Sequence, residues 1–245
     1  MRRRNVLFAS LIALSVWQVA AMLVNRDIFP APIQVAQSIG LHFGDLSQHF
    51  VASALRVIVS IIIAIALAVP AGLAMGQMPK VNRIFSPLVY VVYPIPKIVF
   101  LPIILLFFGT TDLSKVLTIV LILFFQILVP VRDDAAGLRP ELLNSVKSLG
   151  AGRRALFRFV YLPASLPAVL TALRLSVGTA VAVLYITETT ATLLGLGYYI
   201  YVNYSTLFDY AATYAGAVAM GVLGLVLYFL IDWLERKLCP WKFAS

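Results

Sequence analysis

Residues 51–75 read VASALRVIVSIIIAIALAVPAGLAM and contain one charged side chain, that of Arg56. About 20 mostly apolar residues are enough for a helix to cross the hydrocarbon core of a bilayer. The chain as a whole is similar, because 62% of its 245 residues are hydrophobic and only 12% are charged. A soluble domain is about a quarter charged. The sequence therefore predicts an all-α, polytopic membrane protein whose surroundings are the lipid bilayer.

The apolar stretches divide the chain into alternating spans and polar segments. Six spans are predicted, at residues 6–24, 51–75, 84–108, 116–131, 166–187 and 210–234. The first resembles a signal peptide, but its apolar run is long and no clear cleavage site follows, so we expect it to be retained. Residues 29–50 are of mixed polarity and are expected to lie along the membrane surface. Residues 1–245 are expected to form a single transmembrane domain.

The distribution of basic residues predicts the orientation. The net charge is +9, and the Lys and Arg residues lie between apolar stretches rather than on a polar surface of the kind that binds nucleic acid. If the N-terminus is cytoplasmic, fourteen of the Lys and Arg residues fall in cytoplasmic segments. Only Arg26 and Lys115 fall in segments on the outer side of the membrane. Cytoplasmic segments of membrane proteins carry an excess of Lys and Arg. Both termini are therefore predicted to be cytoplasmic, with Arg56 reaching the outer interface.

Catalytic and metal-binding patterns are absent from the sequence. Its two histidines, His42 and His49, lie seven residues apart, and Cys239 is its single cysteine. We expect both histidines to be polar residues on a surface helix. No Gly-x-x-x-x-Gly-Lys-Ser/Thr nucleotide loop occurs either. The sequence predicts no catalytic residue, no metal site and no cofactor in this chain.

The third predicted span combines prolines with a charge. Pro87, Pro94, Pro96 and Pro102 prevent a regular helix, and Lys97 lies among them. Inside a membrane, freed carbonyls need partners in neighbouring helices or in a cavity, and charges face a cavity or a partner. Pro94, Pro96 and Lys97 are therefore candidates for a translocation pathway, although a kink needed only for packing is an open alternative.

Three further residues are pathway candidates. Arg174 and Glu188 lie fourteen residues apart in or near the fifth span. That spacing is about 21 Å along a helix, so they cannot pair with each other on one straight helix. Glu188 could form an ion pair with another span or contact substrate. Tyr198 belongs to a Tyr-rich loop at residues 188–209, which fits an aromatic belt, a gate or a docking surface.

The one long polar stretch, residues 132–163, predicts a pair of short helices. Pro140 suits the first turn of a helix, and Gly150 suits a left-handed stop at its end. One apolar stripe is predicted on the first helix, formed by Leu142, Leu143, Val146 and Leu149. A second helix, with Leu156, Phe157 and Val160 on one side, is expected to end at Pro163. An interfacial helix pair resting on the membrane is the alternative.

This stretch resembles a motif of permease subunits of bacterial ABC importers: Glu-Ala-Ala, three residues, Gly, nine residues, then Ile-x-Leu-Pro. The chain has Asn-Ser-Val at residues 144–146, then Gly150, then Val-Tyr-Leu-Pro at residues 160–163. The spacing is complete, although the opening Glu-Ala-Ala is not kept. Phe-Pro-Ala-Pro at residues 29–32 and Gly-Leu-Gly-Tyr at residues 195–198 are similar to the branch that serves nitrate, sulfonate and taurine.

The resemblance implies a type I importer in the bacterial inner membrane. It implies two permease copies, two ATP-binding subunits that hold ATP and Mg, and a soluble substrate-binding protein in which most specificity resides. Residues 132–163 would then be the coupling segment, which docks on the ATPase. The residues implied in that contact are Glu141, Leu142, Val146, Leu149, Gly150, Ala151, Leu162 and Pro163.

Substrate and transport class are the least determined by the sequence. Lys97 and Arg174 favour an anion such as a sulfonate, taurine, nitrate or bicarbonate, whereas related permeases also import vitamin precursors such as pyrimidines or flavin-like compounds. A stand-alone secondary transporter is disfavoured because no inverted repeat is visible. A membrane enzyme acting on lipids would need convergent catalytic side chains, and none stands out.

Overall fold

A computed structural model describes residues 3–190 and 192–242, without the side chains of residues 3–7, 9, 10, 140, 142 and 153. The described residues are almost all helical and contain no strand, which confirms the all-α prediction. The α-helices are α1 Arg3–Val24, α2 Pro32–Leu41, α3 Phe43–Gln77, α4 Pro79–Val92, α5 Leu101–Phe108, α6 Asp112–Ala136, α7 Pro140–Ser148, α8 Arg153–Leu156, α9 Leu162–Thr190, α10 Leu196–Val202 and α11 Tyr210–Leu238.

Four described helical runs are long and apolar enough to cross a membrane. They are α3, α6, the run Arg154–Thr190 that contains α9, and α11. A fifth crossing results if α4 and the helical run Lys97–Phe108 form one span that is bent by 84°. The apolar part of α1, Leu11–Val24, is shorter than these. The six-span count and the single transmembrane domain therefore stay predictions.

The proline-rich third stretch is broken, as its sequence predicted. Helix α4 ends at Val92, and a 3₁₀ turn at Lys97–Phe100 leads into α5. Pro94 and Pro96 lie between them, where they remove two backbone donors and disfavour helical geometry in the residues before them. Val89 is the one residue of α4 that is buried within this chain, so most of this helix presents an apolar surface outward.

The chain divides into two compact units. The first contains the N-terminal residues up to Ala54 together with Glu188–Val222, and the second contains Leu55–Thr187 and the residues from Leu223 onward. In the first unit, Trp17 donates a hydrogen bond to the Pro30 carbonyl at 3.1 Å and stacks on Tyr214. Phe29 meets the same Tyr214 ring edge-on, which gives the Phe-Pro-Ala-Pro stretch a packing role.

In the second unit, α3 and α6 approach at two glycines. A Cβ atom added at Gly72 would lie 2.9 Å from the Leu128 carbonyl oxygen, and one at Gly76 would lie 2.6 Å from that of Arg132. Real Cβ atoms do not come so close to a neighbour, so only glycine permits this contact. Two small residues four positions apart, Gly72 and Gly76, thus mark a helix–helix interface of the kind common in membranes.

Three predicted boundaries were wrong. Residues 43–50 belong to α3 rather than to a surface segment, and residues 188–209 contain the end of α9 and α10 rather than only a loop. Pro163 does not end a helix, because α9 begins at Leu162. The helical run Arg154–Thr190 continues through Pro163, and the wide turn at Phe157–Tyr161 lies directly before it.

Candidate functional site

The first short helix of residues 132–163 is α7, and Gly150 forms its end. Glu141 in the first turn and Lys147 in the last turn complement the helix dipole. Gly150 has φ of +82°, and its N–H donates to the Lys147 carbonyl at 2.9 Å. The Ala151 N–H reaches the Val146 carbonyl at 3.4 Å, and these two bonds together form a Schellman motif. The left-handed stop predicted at Gly150 is therefore present.

The predicted apolar stripe of α7 is divided between two environments. Val146 is half-buried and lines a groove of about 310 Å³ with Phe159, Val160, Pro163, Ala164 and Trp241. Leu149, which follows the last residue of α7, is 86% exposed. Glu141 and Leu162 are exposed and Ala151 is half-buried, while the Leu142 side chain lies outside the described part of the chain. The Val146 side chain thus faces the groove, whereas the Leu149 side chain is exposed.

A π-helical turn joins the coupling segment to α9. It spans Phe157–Tyr161, and the Leu162 N–H donates to the Phe157 carbonyl. Leu156 and Val160 are buried, whereas Phe157 is 42% exposed and so departs from the predicted shared face. Wide turns of this kind shift the facing of a helix by about one residue, which moves Phe157 off the packed side. The helical run continues into α9 without a loop.

The C-terminal tail is anchored beside this segment by an ionic cluster. Lys242 Nζ lies 2.6 Å from Glu235 Oε1 and donates to the Thr171 hydroxyl at 3.1 Å. Arg174 Nη1 lies 3.0 Å from carboxylate oxygens of both Asp232 and Glu235. Glu235 is fully buried, so its charge depends on these partners. Arg174, a pathway candidate by sequence, thus binds two carboxylates of α11 that sequence reasoning did not single out.

Cys239 is buried at the foot of the same tail. Burial, reinforced by the Glu235 carboxylate and opposed by Lys242, raises the pKa of the Cys239 thiol. The protonated thiol is the poor nucleophile of the two forms. Cys239 is therefore protected from reaction both by its burial and by its protonation.

Glu188 organises a turn in the first unit. Its carboxylate lies 2.8 and 2.9 Å from the Ser53 hydroxyl and accepts from the Gly197 N–H at 2.9 Å. Ser53 in turn accepts from the Leu196 N–H at 2.8 Å. Glu188 is fully buried, and its position beside backbone donors satisfies groups that would otherwise be unpaired. The Gly195-Leu196-Gly197 stretch is the turn that this carboxylate holds.

His49 extends this arrangement and corrects a prediction. It is only 7% exposed, not a surface residue, and its Nδ1 accepts from the Gly195 N–H at 2.9 Å. Tyr198, a pathway candidate, stacks on the His49 ring with centroids 6.0 Å apart. Gly195 has φ of +132°, so the turn needs glycine as well as an acceptor. No local pattern in the sequence links residues 146 positions apart, which is why this contact was missed.

Arg56 was also expected at an interface, and the structure shows it buried. It is 6% exposed, and its guanidinium lies 2.7 Å from the Asp112 carboxylate. Lys115, expected outside the membrane, is 2% exposed and donates to the carbonyls of Thr110 and Thr111. A carboxylate at the first residue of α6 thus neutralises a charge carried by α3.

Lys97 has a different environment from the other in-span charges. Its ammonium group donates to the Tyr93 carbonyl and lies 5.0 Å from the centre of the Tyr93 ring and 4.8 Å from that of Phe125. In the described part of the chain, no carboxylate pairs with it. Pro94 and Pro96 beside it are exposed. The break in the third stretch therefore presents a partly exposed cation.

Comparisons with known proteins match the coupling segment and most of the spans. The family model described as binding-protein-dependent transport system inner membrane component matches residues 64–239. A taurine transport system permease protein of Escherichia coli (strain K12) is 29% identical over 94% of this chain and 86% of its own length. A formylaminopyrimidine transport permease protein of Halalkalibacterium halodurans is 30% identical over 95% and 93%, respectively.

A solved structure shares the fold. The inward-facing MetNI methionine ABC transporter contains a chain that matches with a TM-score of 0.66 at 18% identity. The match covers 80% of this chain and 97% of that one. The match shows that this chain shares its helical fold with a chain of that transporter.

Proposed function

We propose that this chain forms half of the translocation pathway of an ABC importer. The chain belongs to the family of binding-protein-dependent transport system inner membrane components and is a permease subunit of such an importer. A second copy forms the other half. Two separate ATP-binding subunits supply the energy by hydrolysing ATP with Mg, and a soluble binding protein delivers the substrate. The chain crosses the inner membrane six times, with both termini in the cytoplasm.

The observation that carries this proposal is the exposed end of α7. Leu149 is a large apolar side chain in a polar segment, and it is 86% exposed within this chain. A single exposed apolar side chain is ordinary on a protein surface, so what supports a contact here is its place at the end of α7, within the region matched by the family model. The Schellman motif at Gly150 fixes the direction in which Leu149 points away from α7. We assign the ATPase contact to Leu149 and Gly150, together with the adjacent Ala151 and with Glu141 in the first turn of α7.

Force from the ATPase would reach the spans through the groove behind α7. Val146, Val160 and Pro163 line that groove, and the helical run Arg154–Thr190 continues from it without interruption. Helices transmit displacement because their backbone is hydrogen-bonded throughout. ATP-driven closure of the ATPase pair would thereby move α9, and the two permease copies would alternate between inward-open and outward-open states.

The substrate is assigned to the organic and inorganic anions. Lys97 offers a cation at the break of a bent apolar stretch, and charges at such depth mark solute pathways. One relative is named as a taurine transport permease, and taurine carries a sulfonate group. The other relative is named for a pyrimidine, a vitamin precursor, which is the alternative class. Pro94 and Pro96 are assigned to the same pathway, and Tyr198 is a separate pathway candidate. Arg174 is held by carboxylates, and Glu188 is held by Ser53 and a backbone donor.

A pair of glycine substitutions tests the ATPase contact. Gly150 has φ of +82°, while Gly152 has no positive φ, and a Cβ atom would meet nothing within 4 Å at either position. Gly150→Glu therefore adds the same volume and charge as Gly152→Glu but also strains a left-handed residue by about 1–2 kcal/mol. We expect Gly150→Glu to insert normally yet to lose ATPase co-purification and transport, and Gly152→Glu to retain most of both. Normal ATPase capture by Gly150→Glu would overturn the assignment.

A further inference from the structure

An apolar cavity of about 370 Å³ lies in the second unit, between α3, α4 and α6. Its described lining is apolar throughout and includes Met75, Phe85, Leu88, Val92, Phe124 and Phe125. This volume falls in the range of small-molecule sites, which are mostly apolar with a few polar groups that fix orientation. The cavity is therefore suited to the hydrocarbon part of a small solute.

Lys97 does not line this cavity itself but contacts one of its lining residues. Phe125 lines the cavity, and the Lys97 ammonium group lies 4.8 Å from the centre of its ring. Val92 also lines the cavity, and the next residue, Tyr93, supplies the carbonyl that accepts from Lys97. The ammonium group and the apolar surface thus share the Phe125 ring.

Two features that a ligand could satisfy lie close together here: the charge of Lys97 and the apolar surface of the cavity. The Lys97 charge is balanced in the described chain by two rings and a carbonyl but by no carboxylate, and an anion would complete it. The cavity exposes apolar surface, and each methylene group buried there should raise affinity about fourfold. An inorganic anion could satisfy only the first requirement, and an uncharged apolar molecule only the second.

We infer that Lys97 and this cavity form a binding site for an organic anion with a short hydrocarbon body, such as an alkanesulfonate or a short carboxylate. The inference rests on the proposed function and deepens it, because it places a second selection of substrate in the permease, after that of the binding protein. Nitrate or bicarbonate would leave the cavity unused.

Direct binding to the purified permease in lipid nanodiscs, without partner subunits, tests this site. The probes are 1-butanesulfonate, methanesulfonate, nitrate and 1-butanol, measured by calorimetry. We expect 1-butanesulfonate to bind at least tenfold more tightly than each of the other three. Equal affinities for nitrate and 1-butanesulfonate would overturn the apolar part of the site, and equal affinities for 1-butanol and 1-butanesulfonate would overturn the role of the charge.

Two variants with matched controls locate the site. Lys97→Met should reduce 1-butanesulfonate affinity at least tenfold, whereas Lys80→Met, at an exposed position, should not change it. Ala74 lines the cavity, so Ala74→Phe should fill it and remove binding, whereas Ala66→Phe adds the same ring at an exposed position of α3. If Ala74→Phe does not yield folded protein, Ala71→Leu replaces it, because Ala71 lines the same cavity. Unchanged binding in both cavity and lysine variants would refute the site.

The complete importer separates this inference from the function on which it rests. In proteoliposomes that contain the ATPase and the binding protein, Lys97→Met should reduce ATP-driven uptake of 1-butanesulfonate at least tenfold while the ATPase still co-purifies. Full uptake by Lys97→Met would refute the site and leave the importer function intact. Absence of ATP-driven uptake by the wild-type assembly, with 1-butanesulfonate and with other solutes, would instead refute the proposed function.

Discussion

Arg174 and Lys97 are both basic residues within apolar helical stretches of the same unit, and their surroundings differ in kind. Arg174 lies within 3.0 Å of two carboxylates, and one of these, Glu235, also binds Lys242. Lys97 contacts two aromatic rings and a carbonyl. Removing Arg174 leaves two carboxylates with one partner fewer each, whereas removing Lys97 leaves no buried charge behind. The first arrangement stabilises the fold, and the second is suited to a ligand.

The largest effect is expected when Arg174 is removed. Arg174→Met leaves the buried Glu235 and the partly buried Asp232 with one partner fewer, and we expect about 3 kcal/mol of lost stability. Thermal unfolding in detergent, followed by tryptophan fluorescence, measures this change. Arg158→Met serves as the control, because Arg158 is exposed. Equal unfolding temperatures for the two variants would show that the ionic cluster contributes nothing to stability.

The reciprocal change at Lys97 should affect transport rather than folding. Lys97→Met removes a partly exposed ammonium group that has no carboxylate partner in the described chain, so the unfolding temperature should stay near that of the wild type. Lys97→Arg should retain most of the uptake that Lys97→Met loses, because it keeps the charge. Should Lys97→Met unfold as readily as Arg174→Met, the distinction drawn between the two residues would fail.

A smaller effect is expected at Ser53, which pairs with a buried carboxylate of the first unit. Ser53→Ala removes a donor to Glu188 and an acceptor for the Leu196 N–H, and should lower stability by about 1–3 kcal/mol. Ser47→Ala is the matched control, since Ser47 is half-buried and donates only to the nearby Gly44 carbonyl. Thermal unfolding measures both, and a similar shift in both variants would contradict the role given to Ser53.

The smallest effect should appear in the reactivity of Cys239. The wild-type thiol is fully buried, so it should react slowly with a maleimide in native protein. Lys242→Met breaks the contacts of the tail with Glu235 and Thr171 and should raise the labelling rate by freeing the tail. Loss of Lys242 also removes a charge that lowers the Cys239 pKa, so a faster reaction would report access rather than ionisation. Lys237→Met, on the exposed side of α11, should leave the rate unchanged.

Local features of the sequence predicted the parts of the fold that depend on local chemistry. The prolines at residues 94 and 96 predicted the break after α4, and Gly150 predicted the left-handed end of α7, because each constrains its own backbone. Gly72 and Gly76 allow the close contact between α3 and α6 for a similarly local reason, because neither carries a Cβ atom. Pro163 misled, because the helical run Arg154–Thr190 continues through it despite the missing backbone donor.

The sequence by itself determined that this chain lies in a membrane, where its backbone breaks and which polar segment we propose as the ATPase contact. Those properties follow from hydropathy, from proline and glycine, and from spacing within a short stretch. Only the tertiary structure decided which charged side chains have a partner within the protein. Arg174 contacts Asp232, which is 58 residues away in the sequence, and Glu188 contacts Ser53, which is 135 residues away. The physical reason is that a charge in an apolar helix must find a partner, and packing between distant helices decides whether that partner is the protein itself or, as we propose for Lys97, a passing solute.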